Sequence, residues 1–340
     1  MLGPGIRIGL VHAGNLGDVV AALPMAGAIK AACPSAHISF ICRCYSAPVA
    51  MASQHVDAVL DADQARDDST ILAEARLDVL LNPFPYIDIA RSAARVGVPV
   101  RVGNLRRGAR VRWCNRFVFY GRSRSGLHEA ALNLRDLRSL GLRLSPSIGE
   151  MARLAGITRI EPLAAEHRSL LAPDRFHLIV HPKTNANARE WPLGHFLTLA
   201  RMLSSERVQL ILTGTAADRE IVRAACPELW GQANVTDAFG RFGLSQLMAF
   251  IAAADGLVAA STGPLHLAAV LGIHALGIYS GHAGMTAWRW FPLGPKGEAV
   301  QSRGSCPGDT HCKRLLDGGP CSCTIAVTPQ TVYERVTAWL

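Results

Sequence analysis

The sequence predicts an α/β protein of two domains, each a parallel β-sheet with helices on both faces. Three observations carry this. The chain has 340 residues, enough for two buried cores. Short apolar runs alternate with helix-length stretches along most of it, the pattern of βαβ units. Two such series are separated by an irregular, proline-containing stretch around 144–173.

The elements follow in order. Residues 6–12 form a β-rich run, followed by a turn and a helical segment at 19–32. Strands are expected at 37–42, 56–60, 78–82 and 98–102, with helical stretches between them. The rhythm resumes with strands at 176–181, 208–213, 256–260 and 275–279 and helices at 192–205, 216–225, 244–253 and 264–271. At 329–340, Val332, Val336 and Trp339 share one stripe of a helix. The expected organisation is two Rossmann-like domains, 1–165 and 174–327, facing a central cleft, with a C-terminal helix at 328–340. No repeat of solenoid length is evident.

Composition narrows the class. Hydrophobic residues make up 49% and charged residues 18%, which excludes disordered, collagen-like and coiled-coil chains. The most apolar stretches, 249–260 and 265–279, are broken by Asp255 and by Gly272 and His274, short of the ~20 apolar residues a span needs. Residues 1–13 read as a first strand rather than a secretory signal, so the expected location is the cytoplasm.

Of 35 basic residues only four are lysine. Between Arg91 and Arg124 lie ten arginines and no Asp or Glu. Codon bias accounts for arginine usage in general, but not for this clustering. A one-signed run suits an anion-facing surface, be it nucleic acid, anionic lipid or a phosphorylated or carboxylated sugar.

Ligands of open parallel sheets sit beyond the carboxyl ends of the strands, so four post-strand loops matter. Gly14-Asn15-Leu16-Gly17-Asp18 follows the first strand and opens a helix, but lacks the third glycine of a dinucleotide fingerprint. Asp18 reads either as a helix cap or as a catalytic carboxylate. The loop 182–192 brings Lys183, Thr184 and Arg189 ahead of Trp191-Pro192, a plausible diphosphate clamp. Thr213-Gly214-Thr215 with Asp218 reads as a ribose edge or as a tight turn. Ser261-Thr262-Gly263-Pro264-Leu265-His266 offers hydroxyls and a helix N-terminus for phosphate, with His266 one turn in.

Taken together these motifs resemble glycosyltransferase family 9, the ADP-heptose:lipopolysaccharide heptosyltransferases. The resemblance rests on Leu16-Gly17-Asp18-Val19-Val20 with Leu23-Pro24, on His128-Glu129 through Leu140-Gly141, on Arg189-Glu190-Trp191-Pro192, and on Thr262-Gly263-Pro264-Leu265-His266-Leu267-Ala268-Ala269. It implies the GT-B architecture, with acceptor on the first domain and nucleotide sugar on the second. It also implies an inverting transfer in which Asp18 is the base and no metal takes part in catalysis. The donor-binding set is then Lys183, Thr184, Arg189, Thr215, Asp218, Ser261, Thr262, Gly263 and His266. The acceptor set is Asn15, Arg106, Arg107, Arg110, Arg122 and Arg124, facing the anionic lipopolysaccharide inner core and the inner-membrane surface, with no role for nucleic acid. Three positions depart from the family pattern: Arg189 stands for lysine, Ser261 for aspartate, and Ala216 for a ribose-binding glutamate, with Asp218 as a possible substitute.

Nine cysteines include a cluster, Cys306, Cys312, Cys321 and Cys323. It suits a structural zinc or iron clip, a redox pair or free thiols. A C-terminal cysteine-bound metal finger resembles that of some bacterial protein heptosyltransferases, which keeps a protein or other-glycan acceptor open, as does a binding relative that has lost turnover.

Overall fold

A computed structural model describes residues 2–84, 86–122, 125–184, 186, 188–282, 284–302 and 319–340, with backbone alone at 107, 109 and 110. The chain divides into two units, Met1–Ile160 and Glu161–Leu340.

The first unit holds six parallel strands: β1 (Arg7–Val11), β2 (His37–Cys42), β3 (Ala58–Asp61), β4 (Val79–Asn82), β5 (Val100–Asn104) and β6 (Arg116–Val118), in the order β3-β2-β1-β4-β5-β6. The second holds β7 (Phe176–His181), β8 (Val208–Leu212), β9 (Val235–Asp237), β10 (Gly256–Ala260), β11 (His274–Tyr279) and β12 (Gly297–Gln301), in the order β12-β11-β10-β7-β8-β9. Every pairing is parallel. Both orders are doubly wound: the sheet starts at its centre, grows to one edge, then returns and grows to the other. The reversal lies between β1 and β4 in one sheet and between β7 and β10 in the other. Such switch points open a crevice beyond the strand ends.

The central strands are buried on both faces, which explains their continuous apolar runs. The helix Leu16–Ala32 leaves β1 and is buried from Val19 to Ile29. It crosses the helix Ile148–Ala155 so closely that a Cβ at Gly27 would lie 2.1 Å from the carbonyl oxygen of Leu154.

The first unit ends at Ile160. The stretch after Ile160 is hooked to the second unit by two glutamines. Gln246 accepts from the Ala164 N–H and donates to the Pro162 carbonyl, and Gln209 accepts from the Ala172 N–H. The C-terminal helix Pro329–Thr337 is likewise part of that unit. Its Val332 and Val336 are buried in the core with Trp191, whose Nε1 donates to the Val327 carbonyl at 2.8 Å.

Candidate active site

At the switch point of the first sheet, the β1 loop turns into the helix Leu16–Ala32 with Asn15 at its N-cap. Asp18 Oδ2 accepts the Asn15 N–H at 2.9 Å, so the carboxylate closes a capping box. Asp18 is half-buried, and Asn15 is exposed. A Cβ at Gly14 would fall 2.7 Å from Asp18 Oδ2, so only glycine leaves the carboxylate its place. Two tyrosines missed by the sequence reading flank it. Tyr45, after β2, donates to the Gly14 carbonyl at 3.1 Å. Tyr86, after β4, has its phenol pushed up to about 12, by burial and then by the negative charge of Asp18. The signal for both is position alone, since each follows a strand at the carboxyl end of the sheet.

Behind this rim lies a buried polar network, and it corrects one expectation. Arg122 is buried, and its guanidinium is bonded within the unit rather than turned to an anionic acceptor. Its Nη1 pairs with Glu129, itself fully buried, and its Nη2 donates to Asn133 Oδ1 at 2.8 Å and to the Tyr120 hydroxyl. Asn133 Nδ2 in turn donates to the Ala21 carbonyl in the helix that carries Asp18. Arg122 is therefore a positioning residue. The Phe84 ring lies under its guanidinium at 4.6 Å and against His12 at 5.3 Å. His12 is buried, and neither ring nitrogen has a hydrogen-bond partner among the described residues. Burial, then the Arg122 charge, lowers its pKa to about 3.

Other arginines of the run are also spent internally. Arg101 Nε donates to the Trp113 carbonyl at 2.7 Å, Arg116 Nη1 to the Ser139 carbonyl at 3.2 Å, and Arg91 pairs with Asp88. Arg106 is exposed, whereas the side chains of Arg107 and Arg110, and all of Arg124, lie outside the described residues.

The switch point of the second sheet gathers most of the donor set. After β7, Lys183 Nζ pairs with the buried Glu190 at 2.7 Å, and Glu190 Oε1 also accepts the Thr184 N–H. Arg189 is 8% exposed. After β10, Thr262 is the N-cap of the helix Gly263–Val270. His266 is 4% exposed, with Nε2 3.5 Å from Ser261 Oγ. Among the described residues Thr262 Oγ1 is buried with no partner, and so are Ser280 Oγ, just past β11, and Thr286 Oγ1. The sequence reading named neither Ser280 nor Thr286. His181, at the end of β7, meets Thr213 Oγ1 at 3.0 Å, and burial lowers its pKa to about 4.

Thr215 and Asp218 take the turn reading. Asp218 Oδ2 accepts from the Thr215 N–H at 2.8 Å and from its hydroxyl at 2.7 Å, and Thr215 Oγ1 accepts the Asp218 N–H. Of the cysteine cluster, Cys321 and Cys323 are buried, while Cys306 and Cys312 lie outside the described residues. Among the described residues no group of three or more His, Cys, Asp or Glu could hold a metal ion.

Residues 156–316 match the family model of glycosyltransferase family 9 (heptosyltransferase). That segment is a family 9 glycosyltransferase domain. It spans the switch point with Lys183, Arg189 and Thr262. The chain is 22% identical over 301 residues to a candidate glycosyltransferase of Haemophilus influenzae, covering 84% of this chain and 86% of that one. Its fold is that of the E. coli ADP-heptose lipopolysaccharide heptosyltransferase II, with a TM-score of 0.75, 20% identity and 98% of each chain covered. E. coli heptosyltransferase WaaC with ADP follows, with a TM-score of 0.71, 16% identity, and 98% and 100% coverage. The α/β GT-B fold is thereby established, and the chain is a glycosyltransferase. Among the described residues no helix is long and apolar enough to cross a membrane.

Proposed function

We propose that this glycosyltransferase moves a heptose from ADP-heptose to the inner core of lipopolysaccharide, as a cytoplasmic protein peripheral to the inner face of the inner membrane. The observation that carries the reading is topological. The expected base follows β1 at one switch point, and three of the expected donor-facing groups, Lys183, Arg189 and Thr262, follow β7 and β10 at the other. The ADP in the solved WaaC structure supports an adenine nucleotide as the leaving group.

In this mechanism an acceptor hydroxyl oxygen attacks the anomeric carbon while the bond to the ADP oxygen breaks. Asp18 takes the hydroxyl proton. Negative charge growing on the departing diphosphate is met by the N–H groups at the start of the helix Gly263–Val270, by the Thr262 hydroxyl and by Arg189. Lys183, held by Glu190, adds positive charge to the same end of the sheet. No metal is required by this scheme. We propose separately that the C-terminal cysteines hold a structural zinc or iron, a chemistry that suits the buried thiols of Cys321 and Cys323. Metal analysis of the purified chain tests it, and metal-free folded protein would end it.

Thermal shift with a panel of nucleotide sugars tests the donor. ADP-sugars are expected to stabilise by about 2.7 kcal/mol at a hundredfold excess over Kd, and a preference for UDP- or GDP-sugars overturns the assignment. Asp18→Asn tests the base. The amide oxygen still caps Asn15, so Tm and donor affinity should hold while kcat falls by about 10²–10⁴. Unchanged turnover would remove Asp18 from the chemistry.

A further inference from the structure

We infer that the β5–β6 edge of the first unit is a bilayer-docking surface, with Leu105, Phe117 and Phe119 entering the interface and Arg106 and Arg112 meeting anionic headgroups. This deepens the reading above and rests on it only in taking the acceptor as lipid-borne.

Four observations carry it. Phe119 is 71% exposed, the most exposed large hydrophobic side chain among the described residues, with Leu105 at 45% and Phe117 at 44%. Scattered apolar residues on a surface need no explanation, but these are neighbours. Arg106, the residue after Leu105, holds its guanidinium against the Phe119 ring, and Phe117 and Phe119 are both exposed with buried Val118 between them. Second, β6 is an edge strand, where sheets normally place charge or proline to discourage association. Here Phe117 lies on the strand and Phe119 just past its end, both exposed.

Third, the cations sit against rings. The Arg106 guanidinium lies 5.6 Å from the Phe119 centroid, and that of Arg112 lies 5.0 Å from Trp113. Both arginines are exposed, in a stretch with no acidic residue from Arg91 to Arg124. Arg91, Arg101, Arg116 and Arg122 of that stretch are engaged within the unit, whereas Arg106 and Arg112 are exposed, Arg106 against the apolar group itself. Apolar side chains flanked by cations are complementary to an anionic bilayer, with rings at the acyl boundary and guanidinium groups at phosphate depth. Fourth, Leu105 and Phe119 follow β5 and β6 at the same carboxyl end of the sheet at which Asp18 follows β1. A bilayer met there offers a lipid-borne hydroxyl to the rim that holds the carboxylate.

The experiment is flotation of the full chain with vesicles of phosphatidylglycerol and phosphatidylethanolamine, against phosphatidylcholine vesicles, with a Phe117→Ser/Phe119→Ser double variant and an Arg106→Ser/Arg112→Ser variant. Wild type should bind the anionic vesicles and not the neutral ones. Each double variant should weaken binding about tenfold or more at unchanged Tm, because these side chains are exposed. Raised salt should release the serine-for-phenylalanine variant more readily than wild type. The proposal is overturned if wild type ignores anionic vesicles or if the phenylalanine variant binds as wild type does. It is also overturned if light scattering shows a wild-type dimer that the phenylalanine variant loses, or if the arginines retain single-stranded nucleic acid in preference to vesicles. No donor is present in flotation. Loss of vesicle binding with an intact ADP-sugar shift therefore sinks only the docking surface, and the converse sinks only the donor assignment.

Discussion

Thr262, Ser280 and Thr286 each bury a hydroxyl that no described residue satisfies. An orphaned hydroxyl of this kind costs about 1–3 kcal/mol, and on the proposed reading of this crevice as the diphosphate site the cost is recovered when substrate arrives. Thr262→Val is therefore expected to leave the ligand-free protein as stable as wild type or more so, while weakening ADP-sugar binding by about five- to tenfold. Calorimetric unfolding with and without ADP-sugar reads both numbers, and a variant equally destabilised in both states would assign Thr262 a structural role alone. The carboxylates show where sequence reasoning stops at this scale. Asp18 and Asp218 occupy the same position, three residues after an N-cap, and both close a capping box. Nothing local separates a cap from a base. The distinction comes from the surroundings: Asp18 has Tyr45 and Tyr86 beside it at a switch point, and Asp218 does not.

The helix Leu16–Ala32 depends on partners remote in sequence, since Arg122, Asn133 and the Ala21 carbonyl form one chain of hydrogen bonds. Arg122→Met should cost about 3–5 kcal/mol, because the buried Glu129 loses the guanidinium of its ion pair. A second change, Glu129→Leu, should restore much of the loss, and denaturant unfolding of both variants checks it. Failure of the second change to rescue would mean that the network acts through Asn133 rather than through the ion pair. The arginine run had suggested only an outward surface, because charge density is visible in a sequence and its pairing with an acid seven residues away through folded space is not. Strands buried throughout were the most legible. Central strands such as β8 and β10 are buried throughout and read as apolar runs, whereas β6, β9 and β12 lie at or beside sheet edges, half-exposed, and carry no such pattern. The post-strand loops were legible for a different reason. Glycine, hydroxyl and cation in a short turn before a helix are rare enough together to mark a ligand site.

Across the whole molecule, each unit holds near its switch point a histidine whose pKa burial lowers. The pKa of His12 is lowered to about 3 and that of His181 to about 4, each chiefly by burial. Both lie below the ordinary value near 6.5, so the unfolded chain binds protons that the native protein does not. Above pH 6.5 the two have no effect on stability. Between pH 6.5 and about 4 each subtracts roughly 1.4 kcal/mol per pH unit. Thermal unfolding should be level from pH 8 to 7 and fall steadily below 6.5, and His12→Phe should flatten part of that fall. An unaltered slope in that variant would show that His12 is not the group being titrated.

Gly27 lies nine residues beyond Asp18, about 13 Å along the helix axis. Its contact with the Leu154 carbonyl leaves no space even for a methyl group. The segment that ends the first unit thus sets the seating depth of the helix that begins it. Any side chain at Gly27 would lever the rod outward and carry the distant carboxylate with it, so a change remote from the chemistry would read, in kinetics, as damage to the catalyst itself.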